Sequence, residues 1–204
     1  MPLDPLNPPL PRAGEHLRWG GLPAGAEAMV LAATAVRARS TVLVVTAESA
    51  TAEEIDRPQV PFEFALQPAA GEGITIYGKA IQWRTIRAKD YFFDVNAILG
   101  GVHEQVAAYA VTYVIAPREI TGVQLLMGSN DQGKVWLNGT AVVKSTDARS
   151  LEPDTDKAVN LTLKAGVNIV VFKLLNESNN WQGCLRFTDA AGQPLAGLTL
   201  KLAP

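Results

Sequence analysis

The chain of 204 residues is long enough for one large domain, or for one domain with an appended segment. Hydrophobic residues make up 48% and charged residues 19%, a globular composition that excludes a chain disordered throughout. The 18 Lys and Arg residues are balanced by 20 Asp and Glu residues and form no basic cluster, so no nucleic-acid partner is expected.

The cysteine and histidine content and the lengths of the apolar runs exclude several further kinds of site and segment. Cys184 is the single cysteine, so no internal disulfide or cysteine-based zinc cluster can form. His16 and His103 lie far apart in sequence and lack metal-type or triad-type neighbours. The N-terminus does not read as a secretory signal, and the longest apolar run, 28–36, is too short to span a bilayer. We expect a soluble chain without a membrane partner, and its location stays unknown.

The first 56 residues are predicted to be a Pro-rich tail followed by a helix and a strand. Five prolines within 1–13 favour extended structure. Residues 24–39 are rich in helix formers and place apolar side chains at helical spacing. Residues 41–46, TVLVVT, predict a strand buried on both faces. Because helix followed by strand is typical of an α/β layer, we expect an appendage docked on a second domain, 57–204.

From residue 74 onward, short apolar runs recur at the spacing of an all-β domain. The pair Asn138-Gly139 predicts a two-residue type I′ hairpin turn, since both positions need a positive φ. About ten strands without regular helices between them predict a two-sheet antiparallel β-sandwich. The predicted strands are 74–77, 80–87, 90–95, 105–115, 120–127, 133–138, 141–145, 158–163, 167–176, 182–188 and 195–202.

Alternation indicates which faces are buried. Residues 105–115 are apolar on both faces, which predicts a central strand. In 133–138, Val135 and Leu137 point one way while Lys134 and Trp136 point the other. That second face is expected to meet solvent or a ligand.

Residues 128–139, GSNDQGKVWLNG, resemble a turn and strand of a module found in bacterial, often planctomycete-type, polysaccharide-related proteins. That family is similar to galactose-binding-like jelly rolls, and the resemblance extends over about 80–204. It implies a jelly-roll sandwich that binds sugar or packs against a neighbouring domain, in the cell envelope or secreted. Asn130 departs from the family pattern, which has an acidic residue there.

Residues 8–49 resemble the extreme N-terminus of bacterial transcription-repair coupling factor, which would be cytoplasmic. GGLPAGAEA stands where a related phosphate loop would lie, but it lacks the Gly-Lys-Ser/Thr that binds phosphate and Mg²⁺. ATP hydrolysis is therefore not expected. The two resemblances in one chain suggest a chimera or an unusual fusion.

Two groups of residues are candidates for a ligand site. Trp136 is a candidate stacking platform for a sugar ring beside Asn138, or else a cover for the sandwich edge. Asn179, Asn180 and Trp181 form a polar loop tip with one aromatic ring, as in many lectin-like sites, or else a turn that caps its own backbone.

Ser129, Asn130 and Asp131 offer oxygen ligands for Ca²⁺, the one cofactor considered, although an Asx turn explains the same residues. Paired acids such as Asp90 with Asp94 read as loop charges, and no nucleophile elbow, triad or phosphate cradle appears.

These patterns together predict a non-catalytic, carbohydrate-binding-like or domain-packing module whose partner is a polysaccharide or a neighbouring protein domain. The alternatives are a structural or self-associating protein, such as a homodimer formed through 14–56 or an engineered chimera without native activity, and a DNA-repair translocase fragment.

Overall fold

A computed structural model describes residues 42–46, 55–76, 79–86, 88 and 91–204. Among these residues, regular structure consists of β-strands, one short helix, α1 (Val95–Leu99), and one 3-10 turn (Glu63–Ala65). The strands are β1 (Val42–Thr46), β2 (Gly73–Ile76), β3 (Lys79–Gln82), β4 (Arg84–Thr85), β5 (Phe93–Asp94), β6 (Val106–Ala116), β7 (Ile120–Ser129), β8 (Gln132–Leu137), β9 (Thr140–Ser145), β10 (Asp156–Leu163), β11 (Gly166–Asn176), β12 (Gln182–Thr188) and β13 (Thr199–Lys201).

The strands form two antiparallel sheets and a separate hairpin. The larger sheet has the order β4-β1-β6-β11-β8-β9, with β13 paired to β6 as its seventh strand. The smaller sheet has the order β10-β7-β12-β5, and β2 pairs with β3. This confirms the predicted all-β sandwich, and each predicted strand from 74 onward overlaps at least one observed strand.

The main core lies between the two sheets. Leu125 and Met127 of the smaller sheet pack in one cluster with Phe172 and Leu174 of the larger sheet. Val135 and Leu137 also face this cluster, as the alternation in β8 predicts. Burial between two inner faces is what fixes the register of these strands, because a slip of one residue would turn every apolar side chain outward.

The outer face of the larger sheet is covered as well. Residues 55–72, here called the strap, and the β2–β3 hairpin that follows place Val60, Ile76 and Trp83 against that face. The sheet contributes Tyr109, Val111, Tyr113, Trp136 and Val171 to this second cluster. The predicted central strand β6 is therefore buried on both faces, as expected. The outward face of β8 meets the protein itself instead of solvent.

The strand predicted over 41–46 is confirmed as β1, but its assigned setting is wrong. It pairs antiparallel with β6, with Val42 opposite Val111 and Thr46 opposite Ala107, and so belongs to the larger sheet and not to an α/β layer. The predicted helix over 24–39, the Pro-rich tail and most of the segment likened to the coupling factor lie outside the described residues. The division into 1–56 and 57–204 stays a prediction.

Two local predictions have different outcomes. Asn138 and Gly139 have φ angles of 50° and 82°, which confirms the expected hairpin turn between β8 and β9. The strand predicted over 90–95 is reduced to Phe93–Asp94, because α1 begins directly after it. The Asp94 carboxylate caps this helix by accepting a 2.9 Å hydrogen bond from the Ala97 amide, so the prediction of strands without helices between them fails here.

Among the described residues, no helix is long and apolar enough to cross a membrane.

Candidate functional site

Three loops meet at one end of the sandwich, here called the polar end: 94–105, the β7–β8 turn around 129–132, and 176–182 between β11 and β12. They are joined by Asp131, whose Oδ2 accepts hydrogen bonds from the amides of Glu177, at 2.8 Å, and Ser178, at 3.3 Å. The structure thus brings the predicted calcium ligands and the predicted loop tip to the same place.

The β7–β8 turn is held from its other side by Arg149. The guanidinium Nη2 lies 3.2 Å from Ser129 Oγ, and the Arg149 carbonyl accepts 2.6 and 2.9 Å hydrogen bonds from Asn130 Nδ2 and the Asp131 amide. Arg149 also forms an ion pair with Asp156. A cation bound to Ser129, Asn130 and Asp131 would compete with this guanidinium and with the two amides on Asp131. The Asp131 carboxylate bonds to the backbone of 177–178 and Asn130 Oδ1 has no hydrogen-bond partner among the described residues, so the Asx turn considered as the alternative is not formed here. The contacts of Arg149 and of the two amides disfavour a calcium site at these residues.

No group of three His, Cys, Asp or Glu side chains suited to a metal ion occurs in the part of the chain that the structure describes.

The exposed surface of the polar end is rich in amide and carboxylate groups. Asn179 is the centre of this surface: its backbone N–H donates a 3.1 Å hydrogen bond to Glu104 Oε1, and its backbone carbonyl accepts a 2.6 Å bond from Asn96 Nδ2. The Asn96 Oδ1 atom in turn accepts from the His103 amide at 3.0 Å. Asn180 is exposed, and its side chain finds no hydrogen-bond partner among the described residues. The loops are therefore joined to one another by hydrogen bonds, while their exposed side chains can still form hydrogen bonds with solvent or a ligand.

Each of these loops contains a non-glycine residue in the left-handed backbone conformation. Gln105, Asp131 and Asn179 have φ angles of 55°, 53° and 63°. Asn and Asp tolerate this region, whereas Gln adopts it at a cost of about 1 kcal/mol. The Gln105 side chain compensates by donating a 3.0 Å hydrogen bond to the Glu177 carbonyl. Such conformations persist where the surroundings fix them, and they favour loops that are already in shape before a ligand binds.

Both predicted tryptophan platforms are buried. Trp181 is 0% exposed and belongs to the core between the sheets, and Trp136 is 5% exposed beneath the strap. Neither ring has a face open to a sugar, so the stacking role predicted for them does not fit the structure. Trp136 lies on the face of β8 that the strap covers, and Trp181, just before β12, lies between the two sheets.

The two halves of the predicted ligand site also lie at opposite ends of the sandwich. Gln132 pairs with Leu175 and Leu137 pairs with Val170, so Asn138 lies about 20 Å along the strands from the 176–182 loop. Asn138 has a structural role: its Oδ1 accepts from the Ile169 amide, and its Nδ2 donates to Asn168 Oδ1, both at 2.9 Å.

Glu104 and Tyr91 are surface residues that sequence reasoning missed. Glu104 is identified as a residue of the polar end by its contact with Asn179, which is 75 residues away in the sequence. Tyr91 is 60% exposed and packs edge-on against Phe92, with ring centroids 5.0 Å apart, on the approach to β5. The run of aromatic residues at 91–93 was a signal for it, but strand alternation would place Tyr91 on the same face as Phe93; Tyr91 lies outward because β5 begins only at Phe93.

A second polar cluster lies under the strap and is closed to solvent. Lys173 is 0% exposed, and its Nζ donates hydrogen bonds to the carbonyls of Ile55, at 2.8 Å, and Arg57, at 2.7 Å, and to Glu63 Oε2, at 3.1 Å. Tyr109 donates a 2.6 Å hydrogen bond to the same carboxylate oxygen. Burial lowers the pKa of Lys173, and the nearby Glu63 carboxylate opposes that shift. These three acceptors match the three donors of an ammonium group. The cluster therefore attaches the strap to strand β11 of the larger sheet.

No protein-family model and no curated protein matches the chain. Among solved structures, the crystal structure of a GH31 α-xylosidase from Xanthomonas citri is similar to it, with 15% identity and a TM-score of 0.30. The match covers 63% of this chain and 15% of that enzyme. A likeness at this level carries no argument, and the fold and site rest on the strands and contacts described above.

Proposed function

We propose that the chain is a non-catalytic module that binds a hydroxyl-rich polysaccharide at the polar end. The observation that carries this proposal is the set of exposed amide and carboxylate side chains around Asn179, held in place by hydrogen bonds between loops. Planar amides and carboxylates donate to and accept from the paired hydroxyls of a sugar ring. A site that is already ordered loses little conformational entropy on binding.

The chemistry of the polar end favours binding over catalysis. Glu104 is an exposed acid next to Asn179, and its carboxylate already accepts a 3.1 Å hydrogen bond from the Asn179 backbone N–H. Glycoside hydrolysis requires two carboxyl groups facing one another across a cleft, about 5–10 Å apart. The Asp131 carboxylate is buried and accepts two backbone hydrogen bonds, so it is committed to the turn.

The test begins with affinity electrophoresis of the full chain in a panel of soluble neutral polysaccharides. Isothermal titration calorimetry then measures the affinity for each polysaccharide that retards the chain. Asn180→Ala removes an exposed amide without a structural partner, and Asn179→Gly removes a second amide while keeping a residue that tolerates φ 63°. We expect each variant to weaken binding about tenfold, the effect of losing roughly 1.4 kcal/mol.

Thr140→Ala and Lys164→Ala are matched controls, because both side chains are exposed at the opposite end of the sandwich. They should bind like the unaltered chain. If no polysaccharide in the panel binds, or if the controls lose affinity as much as the Asn variants, the proposal is wrong and the domain-packing alternative takes its place.

A further inference from the structure

The ion pair of Lys173 with Glu63 is enclosed by the strap and the larger sheet. The two side chains are 0% and 6% exposed, whereas Asp56, the partner of Lys134, is 52% exposed. Loss of hydration disfavours an ammonium and a carboxylate relative to a neutral amine and a carboxylic acid. Burial accordingly lowers the pKa of Lys173, against the opposing effect of the Glu63 carboxylate. A desolvated lysine amine is a nucleophile, so this pair has the components of a covalent reaction.

The hydrogen bonds around Lys173 Nζ orient the amine toward Glu63. Transfer of one proton from Nζ to Glu63 Oε2, 3.1 Å away, leaves two N–H groups and one lone pair on the nitrogen. The carbonyls of Ile55 and Arg57 accept from those two N–H groups at 2.8 and 2.7 Å. The lone pair is then directed at the third neighbour, the Glu63 carboxyl group. Nucleophile and carbonyl carbon are thus held next to one another, which replaces a bimolecular encounter by an intramolecular one.

Tyr109 is placed to deliver a proton to the leaving oxygen. Its hydroxyl donates a 2.6 Å hydrogen bond to Glu63 Oε2, and its ring centroid is 5.7 Å from Lys173 Nζ. The backbone N–H of Gln59 donates to the Tyr109 oxygen at 3.3 Å, which stabilises negative charge on that oxygen while its proton is transferred. A proton donor in this position accelerates a reaction about a hundredfold or more.

We propose that Lys173 and Glu63 join spontaneously in an isopeptide bond after the chain has folded. The Nζ–Cδ bond forms and the Cδ–Oε2 bond breaks. One ammonium proton passes directly to Oε2, a second follows through the Tyr109 hydroxyl, and Oε2 leaves as water. The amide and one water molecule account for every atom of the ammonium and the carboxylate, so no co-reactant is needed. The ion pair described above is the state in which the chain folds.

The same enclosure protects the product. An amide is neutral, so it costs less to bury than two charges, and its remaining N–H can still donate to a carbonyl of the strap. Hydrolysis requires water, which the strap excludes from this cluster. The bond would attach the strap covalently to β11, across 110 positions of the sequence.

Intact-mass spectrometry of the full chain, sampled over several days at neutral pH, tests the proposal. We expect a species lighter by the mass of one water molecule, in an amount that grows with time. Trypsin does not cut after an acylated lysine, so a digest should contain one branched peptide that includes both Lys173 and Glu63. A sample kept unfolded in guanidinium chloride should retain its full mass, because only the fold brings the two groups together. A folded chain that keeps its full mass, or a loss of water located at other residues, would overturn the proposal.

Three variants test the assigned roles. Lys173→Arg keeps the positive charge but removes the nucleophile, so it should retain its full mass. Tyr109→Phe should react about a hundredfold more slowly, with circular dichroism to verify that it is folded. Lys134→Arg is the matched control: Lys134 Nζ lies only 2.6 Å from Asp56 Oδ1, but that carboxylate is open to water, and the variant should react like the unaltered chain. An undiminished rate in the Lys173 or Tyr109 variant, or no reaction in the Lys134 variant, would contradict the proposal.

Discussion

Lys173 places an ammonium group on the outer face of the larger sheet, where the strap covers it completely. Its three acceptors come from residues more than 100 positions earlier in the chain. Removing one partner of a buried pair leaves the other partner desolvated and unpaired, which costs several kcal/mol. Lys173 therefore ties the strap to the sheet far more strongly than an exposed ion pair such as that of Lys134 with Asp56.

Lys173→Met keeps an unbranched apolar side chain one atom shorter than lysine and removes the charge and the donors. We expect it to lower the free energy of unfolding by about 3–5 kcal/mol, because the Glu63 carboxylate and two carbonyls lose their partner. Urea denaturation followed by circular dichroism measures this loss. Lys164→Met, at an exposed position, should change stability by less than about 0.5 kcal/mol.

A double-mutant cycle with Glu63→Gln separates the ion pair from the packing of the lysine stem. The combined variant should lose at least about 1 kcal/mol less than the sum of the two single variants, since each single change already breaks the same pair. Additivity to within about 0.5 kcal/mol would show that the pair does not hold the strap.

At the level of elements, the stability of the sandwich depends on the absence of a side chain at Gly128, where the loop that contains Glu152 packs closely against β7. A Cβ at this position of β7 would collide with the Glu152 carbonyl oxygen and lie 2.8 Å from Cys184 Sγ. Gly128→Ala should therefore destabilise the protein by about 2–3 kcal/mol, as overpacking does, because a backbone atom cannot move aside alone. Thermal denaturation of this variant measures the effect.

Gly73 offers the matched control in strand β2, since a Cβ there would approach nothing closer than the Ile81 carbonyl oxygen at 3.9 Å. Gly73→Ala should be neutral or slightly stabilising, because alanine has less conformational freedom to lose on folding. Equal melting temperatures for the two variants would contradict the close approach at Gly128.

Elements set by local chemistry were predictable from the sequence, and elements set by distant partners were not. The Asn138-Gly139 turn follows from two residues that accept positive φ, and the alternation of Val135 and Leu137 with Trp136 follows from the strand period. What covers Trp136 depends on the strap, 50 or more residues earlier in the chain. The Trp136 ring, predicted as a surface platform, is therefore buried. The proposed sugar site consists of Asn179 and its neighbours and not of tryptophan faces.

Across the whole molecule, the sandwich has a third layer that the sequence did not reveal. The prolines of 48–71 predict a linker or a meandering edge, yet the part of this range that the structure describes covers one face of the larger sheet. The linker pattern arises because the strap has little regular secondary structure of its own. It is held by polar contacts to Lys173, Tyr109 and Tyr113 and by a few apolar side chains, and this combination has no sequence periodicity.

Tyr113 makes the attachment of this third layer sensitive to alkaline pH. Its hydroxyl donates a 2.8 Å hydrogen bond to the Pro68 carbonyl, and burial raises the pKa of Tyr113 to about 12. Between pH 10 and 12 the phenol of the unfolded chain ionises while that of the folded chain keeps its proton. The folded state then binds more protons, and the free energy of unfolding falls as the pH rises. The full loss across this window is up to about 2.7 kcal/mol, from roughly 1.36 kcal/mol for each pH unit.

Tyr113→Phe removes this titration and isolates its contribution from those of other groups. Near pH 8 the variant should be less stable by about 1 kcal/mol, the value of the lost hydrogen bond to Pro68. Above pH 10 the difference should shrink and then reverse, because only the unaltered chain must keep a phenol protonated. Urea denaturation at intervals from pH 8 to 12 measures both curves. If the two curves stay parallel across that range, the Tyr113 hydroxyl is open to solvent and the strap does not seal this face of the sheet.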